Sequence, residues 1–316
     1  MTRHILITGG FGYLGGRIAS HLASVADWKV AISTRAADAE IPPWLPGARV
    51  IGLDPATSDS LAQACEGFHA IVHLAGANEI VSGADPAGAL ISTTLGTVRL
   101  LQAAQKAGVE RFLYFSTVHV YGKAAGVITE RTLPEPTHPY AITHRAAEDF
   151  VLASGSPLGM VIRLSNAVGA PTHSDIDRWT LAGNDLCRQA IVERRLTLHS
   201  SGVAKRDFLP LHDVCRATEH LLRLPGGEMT QRLFNVAAGC NLSILELAEL
   251  VASRCEQCLG YRPEIVRPAP RPGETAGDFQ FSCERLGSTG FQAEGSLVRE
   301  IDAMLEFCRA QFARVA

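Results

Sequence analysis

The strongest constraint on the fold is a run of glycines near the beginning of the chain. The string Thr8-Gly9-Gly10-Phe11-Gly12-Tyr13-Leu14-Gly15 follows the apolar run His4–Thr8 and leads into helically spaced apolar residues at Arg17–Val25. Glycines allow a tight turn and a close approach of backbone N–H groups to a ligand, while a helix N-terminus attracts negative charge. The pattern predicts a pyrophosphate site formed by Gly9, Gly10, Phe11, Gly12, Tyr13, Leu14 and Gly15. A purely structural turn is the alternative.

Short apolar runs and helical patterns alternate through the first half of the chain. After His4–Thr8, the predicted strands are Lys29–Ser33, Arg49–Leu53, Ala70–Leu74, Phe112–Phe115 and Val161–Leu164. The clearest helical pattern between them is Leu90–Ala107. Strands that alternate with helices favour a parallel sheet covered on both faces. The sequence therefore predicts an α/β fold of the Rossmann type, with a doubly wound parallel sheet.

The alternation weakens after Val161–Leu164, where glycine and proline become frequent. The helical patterns Asp185–Arg194, Ile244–Cys255 and Ser296–Phe312 no longer separate strands regularly. We expect a dinucleotide-binding domain at residues 1–165 and a smaller C-terminal substrate-binding domain at 166–316, with a return to the first domain around 205–240. Ligands of such sheets bind beyond the carboxyl ends of the strands.

Composition narrows the classes of partner. The 316 residues carry a formal net charge of −3, so no overall field favours nucleic acid or an anionic membrane. No apolar run reaches membrane-spanning length. The eight cysteines are spread along the chain without a signal peptide pattern, which indicates reduced thiols and a cytoplasmic protein. The lone pair Cys255 and Cys258 reads better as a helix turn than as a metal or redox site, and we expect no metal.

The end of the second predicted strand bears on cofactor choice. An acidic side chain at this point accepts hydrogen bonds from the adenosine ribose in NAD-binding folds. Here the chain has Ser33-Thr34-Arg35 instead. Arg35 could pair with a 2′-phosphate, so the sequence predicts NADP, with NAD the less favoured cofactor. Alternatively, Arg35 is a solvated loop residue.

A series of motifs resembles the extended short-chain dehydrogenase/reductase family, the NAD(P)-dependent nucleotide-sugar epimerases, dehydratases and reductases. In chain order they are TGGFGYLGG from Thr8, Asp54, His73-Leu74-Ala75-Gly76, GTVRLL from Gly96, FSTVHVYG from Phe115, Pro139-Tyr140, RLSNAVG from Arg163, Arg206-Asp207-Phe208, and Arg271-Pro272-Gly273-Glu274. The resemblance covers nearly the whole chain. It implies hydride transfer between a nicotinamide and a sugar carbon.

The resemblance also implies residue roles. Tyr140 is the expected acid/base, and Thr117 the hydroxyl that acts on the same substrate oxygen; the alternatives are a packing tyrosine and a capping threonine. Leu74, Ala75, Gly76 and Asp54 are expected near the cofactor, Asp54 at the adenine, or else as a turn residue before Pro55. Asn166, Arg206 and Arg271 match positions that hold the substrate diphosphate, where arginine forms bidentate charged bonds. A surface ion pair is the alternative for each arginine, and a turn residue for Asn166. Helices Leu90–Ala107 and Tyr140–Ala153 resemble a dimer interface, so we expect a homodimer.

One departure from the family concerns the activation of Tyr140. The family has lysine four residues after the tyrosine, one helical turn along the same face, but this chain has His144. The lysine ammonium lowers the pKa of the phenol and binds the nicotinamide ribose, whereas histidine is mostly neutral at pH 7. His144 is expected to act with Tyr140 on the cofactor, as a weaker or pH-dependent activator. Loss of fast chemistry is the alternative.

Two further departures bear on the reaction. Val118-His119 replaces the Asp-Glu pair that 4,6-dehydratases of the family use for water elimination, so dehydration is disfavoured. His119 could serve as an acid/base or simply pack. Thr93 stands where the family usually has asparagine. The sequence thus predicts an NADP(H)-dependent epimerase or keto-sugar reductase acting on a nucleotide sugar. The alternatives are a cofactor-binding sensor or scaffold, and a reductase of a non-nucleotide carbonyl compound.

Overall fold

The computed structural model describes residues 2–36, 39–53, 59–123, 125–226 and 229–312. The strands are β1 (Arg3–Thr8), β2 (Trp28–Thr34), β3 (Arg49–Gly52), β4 (Ala70–His73), β5 (Arg111–Thr117), β6 (Gly126–Ile128), β7 (Leu158–Leu164), β8 (Asn166–Val168), β9 (Arg195–Thr197), β10 (Lys205–Pro210), β11 (Leu233–Val236), β12 (Asn241–Ser243), β13 (Glu264–Val266) and β14 (Phe279–Phe281).

The α-helices follow the same order of numbering. They are α1 (Tyr13–Ala23), α2 (Asp59–Cys65), α3 (Glu79–Ala84), α4 (Pro86–Ala89), α5 (Gly96–Lys106), α6 (Pro139–Ala153), α7 (Ala182–Val192), α8 (Leu211–Arg223), α9 (Ile244–Leu259), α10 (Glu284–Gly287) and α11 (Leu297–Phe312). A π-helical segment, Leu90–Leu95, joins α4 to α5, and a 3₁₀ turn, Val118–Tyr121, follows β5. None of the helices in the described ranges is both long and apolar enough to cross a membrane.

The chain divides into two compact units. Unit 1 comprises Met1–Ala124, Glu130–Leu164 and Ala217–Asn235. Its centre is a seven-stranded sheet in the order β11-β7-β5-β4-β1-β2-β3, and neighbouring strands from β7 to β3 pair in parallel. The order reverses between β1 and β4, where ligands of doubly wound sheets bind. The predicted α/β doubly wound fold is confirmed.

The strands of this sheet are buried on both faces, and they therefore carry mainly apolar side chains. One face carries a core that includes Leu6 of β1, Ile71 of β4 and Phe112 of β5, packed against Leu100 of α5 and Val151 of α6. This packing fixes α5 and α6 over the central strands. It thereby brings the polar positions of α6 to the carboxyl end of β5.

Several predicted helix bounds needed correction. In unit 2 the helix predicted at Asp185–Arg194 spans Ala182–Val192, and the one predicted at Ile244–Cys255 continues to Leu259. The first helix begins at Tyr13, inside the glycine string, and not at Arg17, because packing against β2 overrides the weak helix propensity of glycine. The helix predicted at Leu90–Ala107 begins earlier, at Pro86, with Asp85 as its N-cap: the Asp85 side chain accepts a hydrogen bond from the Gly88 N–H. Its middle is π-helical, a local geometry that is frequent at functional sites.

Unit 2 comprises Ala125–Thr129, Ser165–Arg216 and Val236–Ala316. It contains a three-stranded sheet in the order β12-β10-β8 and two smaller parallel pairs, β13 with β9 and β14 with β6. Helices α7, α9 and α11 pack around its core, which includes Leu186, Leu247 and Ile301. This unit therefore has an apolar core of its own.

Candidate active site

The glycine string forms a tight turn between β1 and α1. Gly9 has φ +71°, and the Gly12 N–H donates to the Gly9 carbonyl oxygen at 2.9 Å. A Cβ at Gly15 would overlap that same oxygen, so no larger residue fits there without moving the turn. Gly12 is the N-cap of α1 and has no side chain to bond the first helical amides. The turn fits a dinucleotide pyrophosphate. Its oxygens would accept hydrogen bonds from these amides, which no capping side chain occupies.

The segment Leu74–Gly76 lies against this turn. The Leu74 N–H donates to the Thr8 carbonyl oxygen at 3.2 Å, and the Ala75 N–H to Thr8 Oγ1 at 3.4 Å. Thr93 supports the same segment, because its Oγ1 accepts the Ala77 N–H at 3.1 Å. The threonine in place of the family asparagine thus still bonds the backbone beside the turn.

The positions that bear on the adenosine half are only partly described. Arg35 is exposed directly after β2, and Thr34 Oγ1 accepts the Ala36 N–H at 3.2 Å. Since β2 pairs with β1, Arg35 follows the strand that neighbours the start of the glycine turn. Asp54 lies outside the described residues.

Tyr140 lies at the start of α6, where three histidines surround it. His138 is the N-cap of α6, and its Nδ1 accepts the Tyr140 N–H at 3.2 Å. The Tyr140 ring centroid lies 4.5 Å from that of His144 and 6.2 Å from that of His119. Thr117 is buried at the end of β5, and its Oγ1 accepts the His119 N–H at 3.2 Å. The capping contact considered for Thr117 is therefore present.

His144 is buried, and its Nδ1 lies 2.7 Å from the phenolic oxygen of Tyr114. Burial lowers the pKa of His144 to about 4; Glu148 and Glu79 oppose this shift, and His119 adds to it. His144 is thus neutral at pH 7, and it gives Tyr140 no cationic field of the kind that the family lysine supplies.

Behind His144, a series of buried polar side chains reaches the end of β1. The Tyr114 ring centroid lies 5.7 Å from that of His73 on the neighbouring strand β4. Thr97 Oγ1 lies 3.0 Å from His73 Nε2, and His73 Nδ1 lies 2.6 Å from Thr8 Oγ1. Burial, with a smaller contribution from His144, lowers the pKa of His73 to about 3, so this second histidine is also neutral.

One turn beyond His144 on α6, Glu148 forms a buried ion pair. Arg163 of β7 donates from Nε at 2.9 Å and from Nη2 at 2.6 Å to the two Glu148 oxygens. Ser116 of β5 donates at 2.5 Å and Arg145 at 3.0 Å to the same carboxylate. Burial lowers the pKa of Arg163, but the bonds and charge of Glu148 raise it above its usual range.

Sequence reasoning missed Tyr114, Thr97, Glu148 and Arg163 as parts of this site. A signal was available for two of them. Tyr114 and Ser116 alternate with apolar residues in β5 and so share one face of the strand. Glu148 follows His144 by four residues on α6 and so shares one helix face. Matching these two patterns predicts polar contact between β5 and α6.

The candidate substrate residues Asn166, Arg206 and Arg271 lie in unit 2. Asn166 and Arg206 are on the paired strands β8 and β10, and the Asn166 side chain donates to the Asp207 carbonyl oxygen at 3.0 Å. Arg206 is exposed and donates to the Lys205 carbonyl oxygen at 2.8 Å. Arg271 lies outside these two strands, in the segment that follows β13.

Arg271 instead lines a cavity of about 440 Å³ within unit 2. Its other lining residues are His199, Ser200, Ser201, Pro268, Ala269 and Glu274. Glu274 orders one wall, since it accepts the Ser201 hydroxyl at 2.6 Å and the Arg271 N–H at 2.9 Å. Within the described ranges, no cluster of three potential metal ligands occurs. Cys255 is buried and Cys258 exposed, and both are free thiols.

Comparisons with known proteins agree with this geometry. Residues 5–237 match the model of the NAD dependent epimerase/dehydratase family. The chain is 32% identical to GDP-6-deoxy-D-mannose reductase of Pseudomonas aeruginosa, over 96% of this chain and 97% of that protein. It is 27% identical to UDP-glucose 4-epimerase of Streptomyces lividans, over 95% of each chain.

Solved structures show the same fold. MoeE5 in complex with UDP-glucose and NAD superimposes with a TM-score of 0.79 at 26% identity, over 97% of this chain and 99% of that one. UDP-N-acetylglucosamine 4-epimerase of Methanobrevibacter ruminantium reaches a TM-score of 0.82 at 19% identity, over 98% and 99%. The glycine turn, the tyrosine on α6 and these similarities agree, and the chain belongs to the NAD-dependent epimerase/dehydratase family.

Proposed function

We propose that the protein is a nicotinamide-dependent oxidoreductase of nucleotide sugars, either a keto-sugar reductase or an epimerase. The observation that carries the proposal is the position of Tyr140, whose ring packs against His144 on the buried turn of α6. The glycine turn fits the cofactor pyrophosphate, and β1, which leads into it, belongs to the same sheet as β5, whose end carries Thr117. A reductase is the first candidate because the GDP-6-deoxy-D-mannose reductase relative is similar over nearly its whole length.

The chemistry divides between the cofactor and the side chains. The bound nicotinamide supplies or accepts the hydride. Tyr140 gives a proton to the substrate oxygen or takes one from it, and the Thr117 hydroxyl donates a hydrogen bond to that oxygen. In unit 2, Asn166, Arg206 and Arg271 bind the substrate diphosphate.

For the cofactor we propose NADP(H), with Arg35 at the 2′-phosphate. The support is the sequence Ser33-Thr34-Arg35, which offers hydroxyls and a guanidinium and no carboxylate. NAD is the alternative, because structurally similar proteins such as MoeE5 hold NAD. Dissociation constants for NADPH and NADH decide between them, and a tighter constant for NADH would exclude our assignment of Arg35.

The first experiment identifies nucleotides that remain bound after gentle purification. It is followed by turnover assays with GDP-6-deoxy-D-mannose and NADP+ or NAD+, in which a reductase runs in the oxidative direction and forms the keto sugar. UDP-glucose is assayed in parallel, and both are read by nicotinamide absorbance and by product chromatography. A reductase changes the absorbance, whereas an epimerase forms product without net change. Tyr140→Phe should lower kcat by about 10²–10⁴-fold while the Kd for NADPH stays close to that of the wild type. Equal turnover by the variant would refute the role of Tyr140.

A sensor or scaffold is the second candidate function, and the neutral state of His144 favours it. A neutral His144 does not supply Tyr140 with the cationic activator that the family lysine provides. Bound cofactor together with no turnover of either sugar nucleotide, even at alkaline pH, would establish this alternative.

We also propose a homodimer. Exposed apolar side chains concentrate on α3, the π-helical segment and α6; they are Ile80, Val81, Leu90, Ile91, Leu95, Ile142 and Phe150. Ile142 and Phe150 lie two turns apart on one face of α6, as a helical interface requires. Sedimentation should give a dimer, and Phe150→Glu should shift it toward monomer. Free cysteines and nucleotide substrates favour a cytoplasmic location.

A further inference from the structure

Two aromatic side chains meet beside the glycine turn. Phe11 lies inside the turn, between Gly10 and Gly12, and Trp44 comes from the proline-rich segment 41–47 that precedes β3. Their ring centroids lie 6.2 Å apart at an interplanar angle of 85°, which is an edge-to-face contact. We call Phe11 and Trp44 the aromatic pair. An aromatic surface therefore lies directly beside the expected position of the cofactor pyrophosphate.

The backbone on both sides of Trp44 is anchored. Pro42 and Leu45 are buried, and the Leu45 N–H donates to the Pro42 carbonyl oxygen at 2.9 Å. A second turn follows, in which the Ala48 N–H donates to the Leu45 carbonyl oxygen at 3.3 Å. The rings of Trp44 and Phe11 nevertheless stay partly exposed. The aromatic pair is thus held in place and can still be reached by a ligand.

The position of the aromatic pair in the sheet indicates which half of a dinucleotide it would meet. In doubly wound folds the pyrophosphate binds at the start of the first helix, and the end of the second strand contacts the adenosine ribose. Trp44 lies between β2 and β3, on one side of β1 in the sheet order. Tyr140 lies on α6, which packs against β5 and β7 on the other side of β1. The aromatic pair therefore belongs to the adenosine half.

Adenine is the flat, weakly polar part of that half, whereas the ribose and the phosphates are strongly polar. Nucleobases stack on aromatic side chains through their π-faces, and this contact needs no particular hydrogen bonds. We propose that Trp44, supported by its contact with Phe11, packs against the adenine ring of the bound dinucleotide and strengthens its binding. The inference rests on the proposed function, because it requires that a dinucleotide binds at the glycine turn.

This contact differs from the one proposed for Arg35 in its dependence on the 2′-phosphate. NADH and NADPH carry the same adenine, and ADP-ribose carries it without a nicotinamide. Packing on Trp44 should therefore strengthen the binding of all three ligands equally. Arg35, by contrast, should favour NADPH alone.

Titration calorimetry with these three ligands tests the contact. In Trp44→Leu each Kd should rise about tenfold, equal to about 1.4 kcal/mol. Trp44→Phe keeps an aromatic ring, and its Kd values should stay within about threefold of those of the wild type. Trp179→Leu is the matched control, because Trp179 is also partly exposed and in edge-to-face contact, with Phe312, but lies in unit 2. Its Kd values should equal those of the wild type.

Tryptophan fluorescence reports the same contact without relying on a change in affinity. The chain has three tryptophans, Trp28, Trp44 and Trp179. A base packed on an indole quenches its emission, and ADP-ribose contains no dihydronicotinamide that could accept energy from a more distant tryptophan. Saturating ADP-ribose should therefore quench part of the wild-type emission. The quenching should be lost in Trp44→Phe and kept in Trp179→Phe.

Unchanged Kd values in a folded Trp44→Leu variant would overturn the proposal. So would a rise confined to NADPH, an equal rise in Trp179→Leu, or quenching that persists in Trp44→Phe. Circular dichroism melting checks the fold, and if Trp44→Leu does not fold, the quenching in Trp44→Phe decides.

The proposed function and this inference fail in different ways. A wild-type protein that binds none of the three ligands would refute both. A wild-type protein that binds them, with Trp44→Leu binding equally well, would refute only the contact with adenine.

Discussion

His144 and Glu148 lie one turn apart on the buried face of α6, but His144 has a neutral partner and Glu148 has positively charged ones. His144 faces the phenol of Tyr114, and burial leaves it neutral. Glu148 faces two guanidinium groups, and its strongest partner, Arg163, makes two bonds to it. Burial by itself disfavours any charge. The comparison teaches that a buried charge is kept on α6 only where a full countercharge meets it with matching geometry.

The largest effect is expected from removal of the countercharge. Arg163→Met leaves Glu148 buried with only Arg145 and Ser116, so the free energy of unfolding should fall by about 3–5 kcal/mol. Urea denaturation measures it. Arg145→Met is the control: this arginine is about one-third exposed, and its loss should cost less than about 1 kcal/mol. An equal decrease in the free energy of unfolding for the two variants would show that the bidentate Arg163–Glu148 pair stabilises the fold no more than Arg145 does.

A smaller effect is expected from acid. His73 and His144 have pKa values of about 3 and about 4, below the unfolded value of 6.5. As the pH falls below 6.5, the unfolded chain takes up protons that the folded chain does not, and stability is lost until the folded pKa is reached. Each histidine then contributes at most about 1.4 kcal/mol per pH unit.

Chemical denaturation between pH 7 and pH 5 measures this loss. The variant His144→Gln lacks one of the two groups, and its stability should depend less steeply on pH than that of the wild type. A wild-type slope retained in the variant would mean that His144 is not held neutral by the fold.

The smallest effect is expected from a charge added beside Tyr140. His144→Lys places an ammonium on the turn of α6 next to the phenol of Tyr140. The pH profile of kcat should move toward lower pH by about one unit, which corresponds to about 1.4 kcal/mol of phenolate stabilisation. The double variant with Tyr140→Phe should show no such shift. If the pH profile of kcat is the same in His144→Lys as in the wild type, residue 144 does not influence the activation of Tyr140.

The sequence predicted most of the strands and turns that surround the site, but few of the contacts among its buried side chains. The glycine string and the alternating strands are local patterns, and so the turn, six strands of the sheet and the position of Tyr140 on a helix could be read directly. Strand β11 (Leu233–Val236) was missed because it lies in the second half of the chain, where strand and helix patterns no longer alternate regularly. The contacts among the buried polar residues behind Tyr140 were missed for another reason. These residues come from three strands and two helices, and only the order of the sheet brings Thr8, His73 and Tyr114 side by side.

The turn that begins the site also limits how the protein can be engineered. A methyl group at Gly15 already collides with the Gly9 carbonyl oxygen, and one at Gly10 would lie 2.5 Å from Ile32 of β2. Even alanine would therefore force the backbone or Ile32 to move, so both positions tolerate no side chain without a loss of stability. Substitutions that test the proposed cofactor preference are better placed at Arg35, which is exposed directly after β2.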